Sequence, residues 1–228
     1  MPLKISVIIP AYNEEISLPL VLNDLPRDSL HEVIVVDNGS QDGTARAAQE
    51  NGARVVREEK RGYGRACLKG IGALSDPDIV VFLDADYSDY PEELTQLAAP
   101  IAAGEKDFVL GTRMELPESR RALLPQARFG NRFAVFLMRL FFGGYKFTDL
   151  GPFRAIRYDS LNAIGMRDTD FGWTVEMQIK AVKHGLRIRE IPVQYRKRVG
   201  VSKITGTVSG TIKAGVKIIY TIFKYSLT

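Results

Sequence analysis

IVVFLDADYSDYP, at Ile79–Pro91, joins five apolar residues directly to a cluster of acidic ones. A continuous apolar run of this length is typical of a strand that is buried on both faces. The chain contains three Asp-x-Asp pairs, and only the middle one directly follows such a run. The pairs are Asp76 and Asp78, Asp84 and Asp86, and Asp168 and Asp170. Asp84 and Asp86 are therefore the strongest candidates for a functional site.

Apolar runs of strand length alternate with amphipathic segments of helix length through the first half of the chain. Strands are predicted at residues 4–9, 32–36, 53–56, 78–83 and 107–111. Helices are predicted between them, at Leu18–Leu25, Thr44–Asn51, Gly64–Leu74 and Glu92–Ala103. Continuous Val and Ile runs with intervening helices are typical of βαβ units, whose strands pair in parallel. The sequence therefore predicts an α/β fold with a mostly parallel central sheet flanked by helices.

The second half of the chain has a different pattern, with apolar helices and fewer strands. RFAVFLMRLFFGG is predicted to be an apolar helix that ends at glycines, and residues 187–198 contain an alternating strand. Residues 206–228 are predicted to form a terminal helix, basic and amphipathic, of a kind that can lie in a membrane interface. We interpret residues 1–228 as a single domain, with a nucleotide-binding half at 1–111 and an acceptor half at 112–228.

The composition narrows the class of protein. The 228 residues are 45% hydrophobic and 25% charged, and the net charge of +4 is too small for a dedicated nucleic-acid binder. It suits an anionic small molecule or an anionic membrane surface. Cys67 is the one cysteine, which excludes an internal disulfide and favours a reducing compartment. Without a signal peptide or an apolar run of about 20 residues, we expect a cytoplasmic protein, with peripheral attachment to the cytosolic membrane face as an option.

Polar residues follow three of the predicted strands at the point where each strand ends. These segments are Pro10–Glu14, Asp37–Ser40 and Asp84–Asp86. Because ligands of open parallel sheets bind beyond the carboxyl ends of the strands, we expect the segments to converge. Acidic groups brought together in this way repel one another unless a cation lies between them. A divalent cation with a nucleotide diphosphate meets that need, and Asp84 and Asp86 suit Mg²⁺ or Mn²⁺, with Ala85 leaving room.

Two neighbouring residues, Ser88 and Asp89, allow two interpretations of the same stretch. Ser88 could add a weak oxygen or water contact to the metal. Alternatively, the segment caps the helix predicted to start at Pro91, with Asp89 as the capping residue.

RGYGRAC, at residues 61–67, invites comparison with the glycine fingerprint of dinucleotide-binding proteins. Cys67 stands where the third glycine belongs, and the segment follows the third strand rather than the first. We therefore interpret it as a tight turn that opens a helix and not as a nicotinamide site.

Six segments carry a family resemblance: VIIPAYNEE, VIVVDNGSQDGT, KRGYGRACLKG, VVFLDADYSDYPEEL, GTR and TDLGPFRAI. Their order and spacing resemble family 2 glycosyltransferases, most of all the dolichol-phosphate mannose synthase branch. The resemblance implies a GT-A fold and inverting transfer of a hexose from a GDP- or UDP-sugar to a polyprenyl phosphate, assisted by Mg²⁺ or Mn²⁺. Two alternatives stay open: a sugar or other hydroxyl acceptor with the same donor, and a module that binds a nucleotide sugar without turnover.

The resemblance assigns donor binding to the strand ends. The matching residues are Pro10, Tyr12, Glu14, Asp37, Gly39, Asp84, Ala85 and Asp86, of which Asp84 and Asp86 match the metal motif. Asn38 stands where the branch often has a second acid, and we expect its amide still to donate and accept hydrogen bonds. Ser88 stands where the branch often has glutamine.

Residues in the second half are expected to bind the phosphate groups and the acceptor. The candidates are Arg113, Arg128, Asp149, Arg154, Arg198, Ser202 and Lys203. In the reaction itself we expect Asp86, Arg198 and Glu176 to act, with Glu176 as general base for a hydroxyl acceptor. The alternative for Glu176 is a helix-surface residue paired with Lys180. A phosphate acceptor is already largely ionised near neutral pH and needs no such base.

Overall fold

The computed structural model describes residues 3–200 and 208–227, and seven strands in these ranges form one sheet. The strands are β1 (Ile5–Ala11), β2 (Glu32–Asp37), β3 (Arg54–Arg57), β4 (Ile79–Phe82), β5 (Phe108–Thr112), β6 (Arg154–Arg157) and β7 (Ile188–Pro192). Their order across the sheet is β3-β2-β1-β4-β6-β5-β7. Neighbouring strands are parallel except at β6, which is antiparallel to both β4 and β5. The predicted mostly parallel α/β sheet is confirmed.

Helices cover both faces of this sheet. They are α1 (Leu18–Asn23), α2 (Thr44–Glu50), α3 (Tyr63–Ile71), α4 (Leu94–Ala102), α5 (Pro117–Ala122), α6 (Pro125–Phe142), α7 (Tyr158–Ile164), α8 (Trp173–Lys183) and α9 (Val208–Ser226). The four helices predicted in the first half correspond to α1, α2, α3 and α4, with small differences at their ends. In the described part of the chain, no helix combines the length and the apolar character needed to cross a bilayer.

Alternating residues of the strands supply two separate apolar layers. On β1, Val7 and Ile9 are buried in the layer that contains residues of α1 and α4, whereas Ile8 belongs to the layer formed with α3, α6, α8 and α9. Phe82 of β4 lies in the second layer and meets the ring of Trp173 edge-on, with centroids 5.8 Å apart. Burying a side chain of this size contributes roughly 2 kcal/mol. Each central strand therefore needs apolar side chains on both of its faces, as the continuous apolar runs in the sequence predict.

The strand β6 was not predicted, because Arg154–Arg157 is short and has an arginine at each end. Its register places Arg154 opposite Phe82 and Arg157 opposite Ile79. Since β6 runs against β4, its first residue lies at the carboxyl end of β4. The segment that precedes β6, including Asp149, therefore approaches the acidic cluster from the second half of the chain.

Candidate active site

A cavity of about 390 Å³ lies at the carboxyl ends of β1, β2 and β4. Predicted site residues that line it are Pro10, Tyr12, Glu14, Asp84, Ala85, Asp86 and Arg198. Other lining residues are Ala11, Asn38, Arg61, Gly62, Tyr63, Ala66, Asp170 and Phe171. The structure thus brings polar residues from three strand ends together with an arginine from the second half.

The two carboxylates of the Asp-x-Asp pair have different surroundings. Burial and the charge of Asp86 raise the pKa of Asp84 to about 7, and the hydroxyl of Tyr63 donates to Asp84 Oδ1 over 3.1 Å. Asp86 is buried, and its Oδ2 lies 2.7 Å from Nη2 of Arg198. Asp86 Oδ1 accepts hydrogen bonds from the backbone N–H of Ser88 at 3.0 Å and from its hydroxyl at 2.5 Å. Asp86 is therefore held in one orientation by its partners. The repulsion between the two carboxylates appears in the raised pKa of Asp84.

This pair of carboxylates fits a divalent cation that is bound together with a diphosphate. Mg²⁺ in proteins is commonly held by one or two carboxylates, with phosphate oxygens and waters completing its shell. In the described ranges, no group of three or more His, Cys, Asp or Glu side chains could hold a metal by itself. Asp84 and Asp86 would hold the ion, and its charge would relieve their repulsion. The Ser88 hydroxyl donates to Asp86, so it acts on that carboxylate and not as a third metal contact.

Metal binding at this pair should depend on pH through Asp84. A metal ion binds the ionised carboxylate, so a pKa near 7 makes protons compete with the metal below neutrality. Mn²⁺ should bind about tenfold more weakly at pH 6 than at pH 8. Electron paramagnetic resonance of free Mn²⁺ measures this directly. Tyr63→Phe removes a hydrogen bond that favours the ionised form of Asp84, so the midpoint of Mn²⁺ binding should move to higher pH in this variant. Equal Mn²⁺ affinity of the wild type at pH 6 and pH 8 would contradict the assignment of Asp84 as a metal ligand.

Tyr12 forms one wall of the cavity together with Arg61, which the sequence did not single out. The guanidinium carbon of Arg61 lies 3.2 Å from the centroid of the Tyr12 ring, a stacked cation–π contact. Asp37 and Gly39 lie beside this wall rather than in the lining: Asp37 is buried, and its Oδ1 accepts the N–H of Ser40 at 2.9 Å. The flat surface of Tyr12 and the charge of Arg61 are suited to a nucleotide.

The amide of Asn38 was expected still to donate and accept hydrogen bonds, and in the structure it does both. Its Nδ2 donates to the carbonyls of Glu58 and Lys60, at 3.1 and 2.8 Å, and its Oδ1 accepts the N–H of Gly62 at 2.9 Å. These three bonds hold the segment before α3 against the end of β2. Asn38, which also lines the cavity, therefore shapes its wall.

Arg113 was expected to bind phosphate, and the structure pairs it with Asp149. Arg113 Nε and Nη2 donate to the two carboxylate oxygens of Asp149 at 2.7 and 2.8 Å. Although burial alone would raise the pKa of Asp149, the charge and hydrogen bonds of Arg113 keep it below its usual value. The charge of Arg113 also lowers the pKa of Asp84. The pair thus lies near the acidic cluster without lining the cavity.

Other predicted phosphate ligands lie apart from the cavity. Arg154 is fully buried; it donates to the carbonyls of Gly151 and Thr174, and burial lowers its pKa to about 10. Its expected contact with phosphate is therefore wrong in this structure, because its guanidinium fixes the chain before β6 instead. Arg128 lies on α6, outside the cavity lining. Ser202 and Lys203 lie outside the described residues.

Neither interpretation of Glu176 fits its position. Its carboxylate is fully buried in α8, so it is not a surface residue, and it does not line the cavity. It accepts the N–H groups of Arg167 and Asp168 and the Tyr225 hydroxyl, the last at 2.5 Å, and lies 2.9 Å from Nζ of Lys180. The i,i+4 pairing with Lys180 is present, but in the interior. A carboxylate with these contacts supports the fold, and it lies outside the cavity where a donor would bind.

The interpretation of Asp89 as a helix cap is wrong. The turn at Pro91–Glu93 follows Tyr90, and no side chain caps it. Asp89 is 1% exposed, and neither of its carboxylate oxygens has a hydrogen-bond partner in the described part of the chain. Burial and the charge of Asp84 raise the pKa of Asp89 well above its usual value.

Comparison with known proteins agrees with this fold. Residues 6–165 match the profile of Glycosyl transferase family 2. The chain is 34% identical to an undecaprenyl-phosphate mannosyltransferase of Micrococcus luteus, over 91% of this chain and 90% of that protein. It is 31% identical to a polyprenol monophosphomannose synthase of Mycolicibacterium smegmatis, over 88% and 81% of the two chains.

A solved structure shows the same fold at lower sequence identity. It is glucosyl-3-phosphoglycerate synthase from Mycobacterium tuberculosis in complex with Mn²⁺, UDP and glucosyl-3-phosphoglycerate. The TM-score is 0.80 at 22% identity, covering 97% of this chain and 79% of that one. The fold is thus the expected GT-A fold, and the protein is a glycosyltransferase that belongs to family 2.

Proposed function

We propose that the protein transfers a hexose, with inversion, from a GDP- or UDP-hexose to a polyprenyl phosphate, with Mg²⁺ or Mn²⁺ bound at Asp84 and Asp86. The observation that carries this proposal is the cavity in which these two carboxylates meet Arg198 at the carboxyl edge of the sheet. Relatives named for undecaprenyl phosphate and polyprenol support the acceptor.

In the proposed reaction, a phosphate oxygen of the acceptor attacks the anomeric carbon of the hexose. The bond from that carbon to the donor diphosphate breaks, and the nucleoside diphosphate leaves with the electron pair. When bound, a divalent cation would neutralise the negative charge that grows on the leaving group. Arg198 reaches the same region, since its guanidinium lies on Asp86 and its side chain is 31% exposed. We infer that Arg198 exchanges Asp86 for a diphosphate oxygen when the donor enters.

A phosphate acceptor fits the position of Glu176 better than a hydroxyl acceptor does. A hydroxyl needs a general base within hydrogen-bond reach, whereas a phosphomonoester has a second pKa of about 6. The residue expected to serve as that base is buried in α8 and shares its oxygens with four neighbouring groups. An ionised phosphate acceptor needs no general base, and its negative charge is instead stabilised by cationic groups near the donor.

The surface formed by α6 and α9 supports a lipid-bound acceptor. Apolar side chains of α6 are 44–74% exposed at Phe129, Phe133, Phe136 and Leu140, and those of α9 are 44–62% exposed at Ile212, Val216, Tyr220 and Phe223. The rings of Phe141 and Phe223 meet with centroids 5.2 Å apart, so the two rows adjoin. Exposed Arg120, Arg121 and Arg132 lie on α5 and α6. We infer that this apolar face with basic neighbours rests on an anionic bilayer surface.

Vesicle binding tests the lipid-facing surface. Phe133→Ser combined with Phe136→Ser should weaken binding to vesicles that contain phosphatidylglycerol by about tenfold or more, since each phenyl contributes on the order of 1 kcal/mol. Co-sedimentation gives the partition constant. Ile16→Ser is the matched control, because Ile16 is 72% exposed but lies between β1 and α1. Equal binding by the wild type and the double variant would contradict the membrane role of this surface.

Donor binding is tested with a panel of nucleotide sugars. A true donor should raise the melting temperature once its concentration exceeds its dissociation constant, by an amount that grows with the logarithm of their ratio, and more so with Mn²⁺ present. GDP- and UDP-hexoses form the panel, and ADP-glucose serves as the control. No stabilisation by any GDP- or UDP-hexose would contradict the proposed donor site.

A further inference from the structure

We propose that Lys217 of α9 positions one wall of the donor cavity, an inference that rests on the proposed donor site. The wall is the loop Arg167–Phe171, called here the acidic loop, whose residues Asp170 and Phe171 line the cavity. Lys217 does not touch the cavity, so we assign it a positioning role. The contacts on the two sides of the acidic loop carry the inference.

On the outer side, the acidic loop is tied to α9 through Asp168. Nζ of Lys217 lies 2.8 Å from Asp168 Oδ2, and the Asp168 side chain is only 9% exposed. The other carboxylate oxygen of Asp168 accepts the backbone N–H of Asp170 at 2.8 Å. Asp168 thus links the Lys217 charge to a residue of the cavity lining through two direct contacts.

On the inner side, the acidic loop is pressed against the turn that opens α3. A Cβ atom at Gly62 would clash with the carbonyl of Thr169, and one at Gly64 with the carbonyl of Asp168. The backbone N–H of Arg65 also donates to the Thr169 carbonyl at 3.0 Å. This turn carries Gly62 and Tyr63, which line the cavity as well. Movement of the acidic loop would therefore change two walls together.

The end of the acidic loop leaves no free space next to α9. A Cβ atom at Gly172 would clash with the buried hydroxyl of Thr221 and approach the Asp168 carboxylate. Further along α9, the Tyr225 hydroxyl donates to Glu176, which in turn accepts the backbone N–H groups at the start of the loop. The helix therefore holds the acidic loop at both ends.

Lys217 therefore faces the acidic loop, although its side chain is 31% exposed. The exposed apolar row of α9 occupies other positions of the same helix. Without the ammonium group, the largely buried Asp168 carboxylate would lose its ion-pair partner. The loop should then relax away from α3, and the donor should bind less tightly.

Nucleotide affinity in the absence of lipid tests this role. Lys217→Met should raise the dissociation constant of the nucleotide that the wild type binds, GDP or UDP, by about five- to tenfold. Calorimetry in the presence of Mn²⁺ measures this constant. Lys217→Arg should restore most of the affinity, since it keeps the charge. Lys213→Met removes an exposed lysine from the same helix and should leave the affinity unchanged. Asp168→Asn should weaken binding as Lys217→Met does, and the double variant should be no weaker than either.

Several results would overturn the inference while leaving the proposed function intact. They are wild-type affinity in Lys217→Met, an equal loss in Lys213→Met, and additive losses in the double variant. Failure of Lys217→Arg to restore binding would also contradict it. A wild-type protein that binds neither GDP nor UDP would instead contradict the donor site itself, and the inference with it.

Discussion

Asp86→Asn is expected to lower hexose transfer by about a thousandfold while the protein stays folded. The substitution removes a charge from the metal-binding pair and deprives Arg198 of its 2.7 Å partner. The fold should tolerate it, because the charge of Asp86, which adds to burial in raising the pKa of Asp84, is then removed. Steady-state turnover and a thermal melt, measured on the same preparation, test both parts of the expectation.

Asp76→Asn is a matched control from another Asp-x-Asp pair of the chain. Asp76 is exposed and has a φ of +51°, a conformation that asparagine tolerates well. Its substitution should change turnover by less than about twofold. Wild-type turnover in Asp86→Asn would remove the metal assignment, and an equal loss in Asp76→Asn would show that the effect is not specific to the cavity.

Glu176→Gln is expected to reduce the free energy of unfolding by about 3 kcal/mol. The substitution leaves Lys180, whose side chain is 10% exposed, without its 2.9 Å partner in the interior. The backbone N–H groups of Arg167 and Asp168 donate to both carboxylate oxygens in the wild type, whereas a glutamine side chain offers them a single carbonyl oxygen. Urea denaturation measures the loss. Turnover per folded molecule should stay within about threefold of the wild type, and its pH profile should not change.

The double variant Glu176→Gln, Lys180→Met separates a supporting role from a catalytic one. Removing both charges should recover part of the stability lost in the single variant, because no unpaired ammonium group is then buried. A general base behaves differently: Glu176→Gln would be as stable as the wild type and would lose several orders of magnitude in turnover. That result would favour a hydroxyl acceptor.

The sequence predicted the sheet edge well because short-range patterns determine it. Continuous Val and Ile runs fix buried parallel strands, and polar residues at three strand ends must then meet at one edge. This reasoning predicts that Tyr12, Asp84 and Asp86 meet, and all three line one cavity. It missed Tyr63, although RGYGRAC was recognised as the turn that opens a helix.

The second half was less predictable because its side-chain partners are distant in sequence. Asp149, Arg154 and Glu176 are polar residues that look functional in a linear pattern. Each is largely buried and satisfied by groups brought together only by tertiary packing. An i,i+4 pair such as Glu176 and Lys180 does not reveal whether it faces solvent, because mutual neutralisation lets it enter a core. The strand β6 gave no signal because it is only four residues long and has an arginine at each end.

Product analysis with a lipid acceptor is the most direct test of the proposed function. Purified protein is incubated with Mn²⁺, labelled GDP-mannose or UDP-glucose, and vesicles containing polyprenyl phosphate or the parent polyprenol. The proposed function predicts a labelled polyprenyl-phosphate hexose with β configuration from an α-linked donor. This product should form with the phosphate but not with the polyprenol, and it should be lost in Asp86→Asn. Donor binding without any lipid product, or transfer to the polyprenol and not to its phosphate, would contradict it.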